Sequence, residues 1–150
     1  MILLGGASET AHEGIGAFQE WPQMESVRTC VKYSARPASV DMISRHLERA
    51  VRASVYGRPG PCYIDLPGDL LQTRVPGSSV TLCPAPPPPP LTLPADDQLQ
   101  LAASLIMNSA KPLVIIGKGA AYSRAEEEIR RFAEMTNLPL LATPMGEKHD

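Results

Sequence analysis

Aromatic side chains make up only 5% of this 150-residue chain. That is too few for the stacked platforms on which single-stranded nucleic acids are held. Neither sign of charge prevails. Fourteen basic and 16 acidic residues leave a net charge of −2, so bulk charge points to no nucleic-acid partner and no bare membrane surface. Cysteine is scarce as well. Cys30, Cys62 and Cys83 stand far apart, with no CxxC or Cys/His ligand spacing, which argues against a metal site of the zinc type. An odd count suits a reducing compartment with free thiols. Cys62, inside an apparent strand, reads as a small buried side chain. A phosphate-binding P-loop is excluded, because GxxxxGK followed by Ser or Thr does not occur. Long apolar runs are missing too. Met1-Ile-Leu-Leu-Gly-Gly has no basic lead-in and too few apolar residues for a secretory signal, and it reads as a buried strand ending at Gly5-Gly6. A strand at the first residue, and Pro144 to Asp150 directly behind a strand at the far end, suggest a fragment or a short isoform.

What is present is an α/β pattern, and 43% hydrophobic residues suffice for a core. Residues 2–6 read as a strand, 7–21 as a polar loop dotted with glycine, and Pro22 to Cys30 as a short helix with Met24 and Val27 on one face. Mild alternation over Val31–Arg36 ends at Pro37. A clear helix follows, with Ser39 as N-cap and Asp41 at the positive end of the dipole. Val40, Ile43, Leu47, Ala50, Val51 and Ser54 recur at helical spacing, and Gly57 and Pro59 stop the helix. Cys62–Leu66 is a short strand that Pro67 prevents from continuing.

Composition then shifts. Seven prolines fall between Pro84 and Pro94, including the unbroken run Pro86–Pro90. Such a run is extended polyproline II without interior donors for a sheet. Residues 74–94 therefore read as a linker between folded pieces. The alternative, a ligand for an aromatic groove, lacks a flanking basic residue to orient it. Beyond the linker, Ala95–Ser109 is helical with Leu99, Ala102, Leu105 and Ile106 on one face. Leu113–Ile116 is a strand, Gly117–Tyr122 a turn, and Ser123 with Glu126 a capping box. The next helix buries Ile129, Phe132, Ala133 and Thr136, Asn137 suits its end, and Leu138–Ala142 is a strand. Helices alternating with uniformly apolar strands imply parallel-sheet layers covered on both faces.

The turn Gly117-Lys118-Gly119-Ala120-Ala121-Tyr122 is the candidate for anion chemistry. It makes a poor dinucleotide fingerprint. The third glycine would fall at Tyr122, and the acid expected after the next strand is replaced by Thr143-Pro144. A narrower reading remains. Small residues at 117, 119, 120 and 121 let a ligand approach the backbone, Lys118 supplies a cation and the following helix its positive end. That suits a diphosphate such as the ADP portion of coenzyme A. A glycine turn serving chain reversal alone, with Lys118 solvated, satisfies the same residues.

Taken together, GAFQE (16–20), YGRPGPCYIDLP (56–67) and PLVIIGKGAAYSRAEE (112–127) resemble the thiamine-diphosphate-dependent enzymes, over nearly the whole chain apart from the proline run and the last few positions. Among these the chain looks most like the peroxisomal 2-hydroxyacyl-CoA lyases, with oxalyl-CoA decarboxylase next. Acetohydroxyacid synthases share the FQE and GRPGP patterns but usually lack GKGAAY. The resemblance implies that residues 1–73 match the C-terminal half of a pyrimidine-binding domain, 74–94 the interdomain linker, and 95–150 the N-terminal half of a Rossmann-like middle domain.

The resemblance also implies roles. Phe18 and Gln19 match a loop that faces the thiazolium of a neighbouring subunit's cofactor, with Gln19 hydrogen-bonding the reacting substrate or its adduct. A Tyr-Glu pair stands there in the decarboxylase. Arg58 and Lys118 match cations that hold the coenzyme A nucleotide, beside Gly117, Gly119, Ala120 and Tyr122. The implied reaction cleaves a 2-hydroxyacyl-CoA into formyl-CoA and an aldehyde, as in fatty acid α-oxidation, with thiamine diphosphate and Mg2+ as cofactors, in a homo-oligomer. Departures from the pattern matter. The family's cofactor-activating glutamate and its Gly-Asp-Gly magnesium motif have no counterpart here. Gly146 is followed by Glu-Lys-His-Asp where relatives read Gly-Lys-Gly, and no peroxisomal C-terminal tripeptide is present. Peroxisomal residence is implied by the family, the cytosol by the missing tripeptide. The 150 residues alone are expected to be inactive. A non-catalytic remnant that binds a nucleotide or a full-length subunit is the alternative outside enzymes.

Overall fold

The computed structural model describes residues 1–144, so the expectation at Gly146 and beyond lies outside the described residues. Two compact units divide the chain, Met1–Leu91 and Thr92–Asp150.

The first unit is built on three parallel strands, β1 (Ile2–Ala7), β2 (Tyr33–Ala35) and β3 (Cys62–Pro67), in the order β1-β3-β2. The most buried strand is the central one. β3 pairs with β1 from Ile2↔Cys62 to Ala7↔Pro67 and with β2 from Tyr33↔Cys62 to Ala35↔Ile64. Pro67 closes the strand as its last residue, where no further ladder donor is needed. α1 (Gln23–Val27) carries Met24 and Val27 half-buried, as the sequence pattern requires. α2 (Val40–Val55) packs on the sheet through Leu47, Ala50 and Ala53, closing a core with Ala35, Cys62 and Ile64. Tyr56 ends it with an N–H to the Arg52 carbonyl, and Gly57 turns away at φ +60°. Such a φ favours glycine. A short helix that the pattern did not announce, α3 (Gly68–Gln72), follows β3. Asp69 ties it to the loop after β1 by accepting from the Thr10 backbone N–H and hydroxyl.

Three expectations need correction here. Ser39 precedes α2 at extended angles, but its side chain makes no cap bond; only its carbonyl engages, accepting from Met42. β1 is not buried throughout: Leu3 and Leu4 are about half exposed, at 52% and 54%, because β1 pairs only with β3 in the described sheet. Val51 also faces outward. The segment around Val80–Pro86 lies along the same side of α2. There the Ser44 hydroxyl accepts from the Cys83 N–H at 2.7 Å, and the Tyr56 hydroxyl donates to the Pro87 carbonyl at 2.8 Å.

The second unit holds α4 (Asp96–Met107), β4 (Val114–Ile116), α5 (Lys118–Tyr122), α6 (Glu126–Thr136) and β5 (Leu140–Ala142). β4 and β5 pair in parallel from Val114↔Leu140 to Ile116↔Ala142. α6 turns Ile129, Phe132, Ala133 and Thr136 to its half-buried side. It ends at Asn137, left-handed at φ +50° with its N–H on the Ala133 carbonyl. The apolar face expected on α4 is exposed instead at Leu99, Leu105 and Ile106, since no described element of this unit covers it. Gly117–Tyr122 is not a simple turn either. Gly117 is the N-cap and the next five residues are helical, because Ala120 and Ala121 favour helix once the turn has started. The capping box is displaced with it. Ser123 closes α5, and α6 starts at Ala125-Glu126 with no side-chain cap bond.

Candidate functional site

In a parallel sheet, ligands meet the carboxyl ends of the strands. The ends of β1, β2 and β3 bring Ser8, Arg36 and Asp65 to one cavity of about 570 Å³. Gln19, Glu20 and Gln23 also line it.

Asp65 is the buried anion of this group. The Tyr63 hydroxyl donates to its Oδ1 at 3.0 Å, and the Arg36 Nη1 stands 3.5 Å from its Oδ2 and 3.2 Å from the Glu13 carboxylate. Arg36 Nη2 is buried with no hydrogen-bond partner among the described residues. The Tyr63 hydroxyl also lies 2.9 Å from Gln23 Oε1. Burial first, and then the bond to the Asp65 carboxylate, push its pKa up to about 12. Tyr63 is therefore a permanent donor at neutral pH. The Gln23 side-chain amide donates onward to the Gly6 carbonyl at 2.9 Å.

Gln19 sits on a loop organised by its neighbour. The Glu20 carboxylate accepts the backbone N–H groups of Gly14, of Gly16 at 2.7 Å and of Ala17 at 2.9 Å. Those N–H groups, Gly14 first, hold the Glu20 pKa below the usual carboxylate range. Gly14 and Gly16 take φ +88° and +74°, conformations that favour glycine. Gln19 itself is left-handed at φ +63°, a local strain that neighbouring bonds must hold. Its side chain lines the cavity, with Oε1 3.9 Å from where a Cβ on Gly6 would stand. Phe18, beside it, is 87% exposed.

Arg58 belongs to a second feature of this unit, the turn Tyr56–Gly60. It is exposed and forms no ion pair among the described residues. Lys32 crosses below, its ammonium donating to the carbonyls of Tyr56 and Arg58.

In the second unit, Lys118 lies in the first turn of α5, its ammonium 5.1 Å from the centre of the Tyr122 ring, a cation–π contact. A Cβ at Gly117 or Gly119 would meet nothing within 4 Å, so the backbone there faces open space, with Ala120 next to it. The positive end of α6 is a different matter. Glu126, Glu127 and Glu128 occupy its first turn, so that end is already neutralised and repels an anion.

Sequence reasoning thus selected Phe18 and Gln19 on one loop, Arg58 on one turn, and Gly117, Lys118, Gly119, Ala120 and Tyr122 along one short helix. It passed over Glu20, Arg36, Tyr63 and Asp65, which hold the cavity together. Asp65, a charged residue at the end of an apolar strand, was the available signal. No cluster of three or more His, Cys, Asp or Glu side chains able to hold a metal ion occurs among the described residues. No helix among the described residues is long and apolar enough to cross a membrane.

Comparison with known proteins agrees with this architecture. Residues 99–149 match the family described as thiamine pyrophosphate enzyme, central domain. The chain is 46% identical over 147 residues to 2-hydroxyacyl-CoA lyase 1 of Mus musculus, covering 98% of this chain and 25% of that protein. It is 34% identical over 151 residues to oxalyl-CoA decarboxylase of Escherichia coli K12, covering 98% of this chain and 27% of the relative. Among solved structures, benzoylformate decarboxylase of Polynucleobacter necessarius shares the fold with a TM-score of 0.78 at 24% identity, over 99% of this chain and 27% of that one. The chain spans about a quarter of the length of the curated relatives it matches. By the central-domain match and the near-complete coverage of its own length, the chain is similar to the thiamine-diphosphate-dependent enzymes, and its sequence stands nearer the mouse 2-hydroxyacyl-CoA lyase than the Escherichia coli oxalyl-CoA decarboxylase.

Proposed function

We propose that this chain is the part of a 2-hydroxyacyl-CoA lyase that faces the reacting carbon and grips the coenzyme A nucleotide. The enzyme would convert a 2-hydroxyacyl-CoA into formyl-CoA and an aldehyde one carbon shorter, as fatty acid α-oxidation requires. The observation that carries this reading is the 46% identity over 98% of the chain to a 2-hydroxyacyl-CoA lyase. On this reading residues 1–73 belong to the pyrimidine-binding domain, 74–94 to the linker and 95–150 to the middle domain. The working enzyme is a homo-oligomer that uses Mg2+ and resides in peroxisomes.

Thiamine diphosphate, when bound, supplies a thiazolium ring that takes up the electron pair left by carbon–carbon cleavage. The chain's own residues do the rest of what is proposed here. Gln19 presents a neutral amide that hydrogen-bonds the substrate oxygen without titrating. The Glu20-centred loop keeps that amide at the cavity edge, and the exposed Phe18 ring supplies apolar contact. Arg58 offers a guanidinium fork to phosphate. Lys118, Gly117, Gly119, Ala120 and Tyr122 offer a second contact, where open backbone and a compact cation lie together.

Two experiments test the reading. Grafted into mouse 2-hydroxyacyl-CoA lyase 1 in place of the segment it matches, this sequence is expected to sustain formyl-CoA release. Gln19→Ala in that graft should lower kcat by roughly a hundredfold, the scale for losing one positioned donor. A graft that releases no formyl-CoA although folded, or a Gln19→Ala graft with full kcat, overturns the proposal. The chain alone, mixed with thiamine diphosphate, Mg2+ and substrate, is expected to release none.

A further inference from the structure

We propose that Lys32 is a positioning residue for the nucleotide grip, locking the turn that presents Arg58. This inference rests on the reading that Arg58 contacts the coenzyme A nucleotide.

Lys32 lies just before β2, 26 residues from Arg58 in sequence. Its ammonium donates to the Tyr56 carbonyl at 2.7 Å and to the Arg58 carbonyl at 2.8 Å, and its backbone N–H donates to the Pro61 carbonyl at 2.8 Å. One lysine therefore holds three carbonyls of a six-residue stretch, two through charge-assisted bonds of about twice ordinary strength. Gly60 makes room for it. A Cβ at that position would lie 2.7 Å from Lys32 Cδ and 2.9 Å from Cγ, so the lysine stem occupies the place of a side chain.

The remaining contacts fix the turn on its other sides. The Gly60 N–H donates to the Ser54 carbonyl at 3.0 Å, the Tyr56 N–H to Arg52 at 2.9 Å, and the Tyr56 hydroxyl to Pro87 at 2.8 Å. Pro59 adds a fixed φ. The backbone around Arg58 is thus held from three directions while its guanidinium extends into solvent. Lys32, like Arg58, forms no ion pair among the described residues. Its charge is directed at carbonyls and leaves the neighbourhood of Arg58 positive. A turn preorganised in this way loses less entropy when a diphosphate docks.

The test is ADP titration by calorimetry, joined to amide hydrogen exchange, on the whole chain and on the variants K32M, K32R, G60A, R58A and K32M/R58A. K32M should weaken ADP binding on the order of tenfold, equivalent to about 1.4 kcal/mol, and K32R should recover most of the loss. G60A keeps the ammonium but displaces the stem, so it should weaken binding as K32M does. It also serves if K32M fails to fold. Because Lys32 acts through Arg58, K32M/R58A should bind no more weakly than R58A. Losses that multiply would show Lys32 acting independently of Arg58 and overturn the proposal. R58A that binds like wild type removes Arg58 from the site and this inference with it. R58A weakened while K32M and G60A are unaffected overturns the positioning role alone. The Gly60 amide should exchange faster in K32M and at the wild-type rate in R58A, a readout that needs no ligand. Unchanged exchange in K32M likewise defeats the proposal.

Discussion

Gly5 meets the tightest steric condition of any glycine in the described chain. A Cβ there would stand 2.1 Å from the Tyr63 hydroxyl and 2.7 Å from two ring carbons. Tyr63 is 3% exposed and hydrogen-bonded to Asp65, so it has no room to swing aside. Gly5→Ala is expected to cost about 2–4 kcal/mol, adding overpacking to a broken buried hydrogen bond. The measurement is the urea midpoint at constant slope, and an unshifted midpoint would show that the ring relocates without penalty. Glu20 allows a second test. Its pKa is lowered in the fold by the Gly14, Gly16 and Ala17 N–H groups, so its contribution is fully present above the ordinary glutamate value near pH 4.3 and is lost as pH falls through the folded value. Glu20→Gln should lower the protection factors of those three amides at neutral pH, and protonation of Glu20 by acid should lower them in the wild type; equal protection in the variant would mean that charge plays no part in holding the loop. These residues also show what the sequence concealed. Phe18-Gln19 could be carried over because FQE is contiguous. The Tyr63–Gln23 and Arg36–Asp65 contacts join residues 40 and 29 positions apart, and no local window contains both partners.

Elements long enough to show a period were legible, and two of the shortest helices were not. α2 and α6 each repeat apolar residues over three or more turns, so their presence and most of their buried faces could be read directly, though not the chemistry of their N-termini. α3 and α5 span five residues each. That is too little for a periodic stripe, and such pieces depend on the preceding strand to fix their first turn. The Gly-Ala run at Lys118 therefore read as a turn. α2 carries its own pH dependence. The Tyr33 hydroxyl lies 2.6 Å from His46 Nδ1, and the two rings stack with centres 6.3 Å apart. A neutral imidazole accepts that proton and an imidazolium cannot. Burial first and then Arg49 lower the His46 pKa. The sign follows: the unfolded chain takes up a proton near pH 6.5 while the folded one does not, so stability is fully present above that pH and declines as pH falls toward the folded value. Thermal midpoints of the first unit should fall between about pH 6.5 and 5, and His46→Gln should reduce the slope. A slope unaffected by the substitution would assign the dependence to other groups.

At the scale of the molecule, burial is unevenly shared. The first unit contains Ala50, Cys62 and Ile64 at 0% exposure, whereas none of residues 92–144 is buried. Several apolar residues of the second unit, among them Leu105, Ile115 and Leu141, remain more than half exposed. Area removed from water is the main favourable contribution to folding, at about 25 cal/mol per Å², and conformational entropy opposes it at roughly 1–2 kcal/mol per residue. A unit that buries so little has a small balance between these two. Its strand pair is correspondingly minimal, two strands of three residues each, below what stands alone in water. The two units should therefore not unfold as one. Amides of β3 are expected to exchange only through opening of the whole first unit, whereas those of β4 and β5 exchange through local opening, at rates higher by about two orders of magnitude or more, since each 1.4 kcal/mol between the two openings is tenfold. Hydrogen exchange followed by mass spectrometry on the intact chain resolves the two populations. Equal protection of β3 and β4 would require that the second unit draws its stability from burial that its own residues do not show.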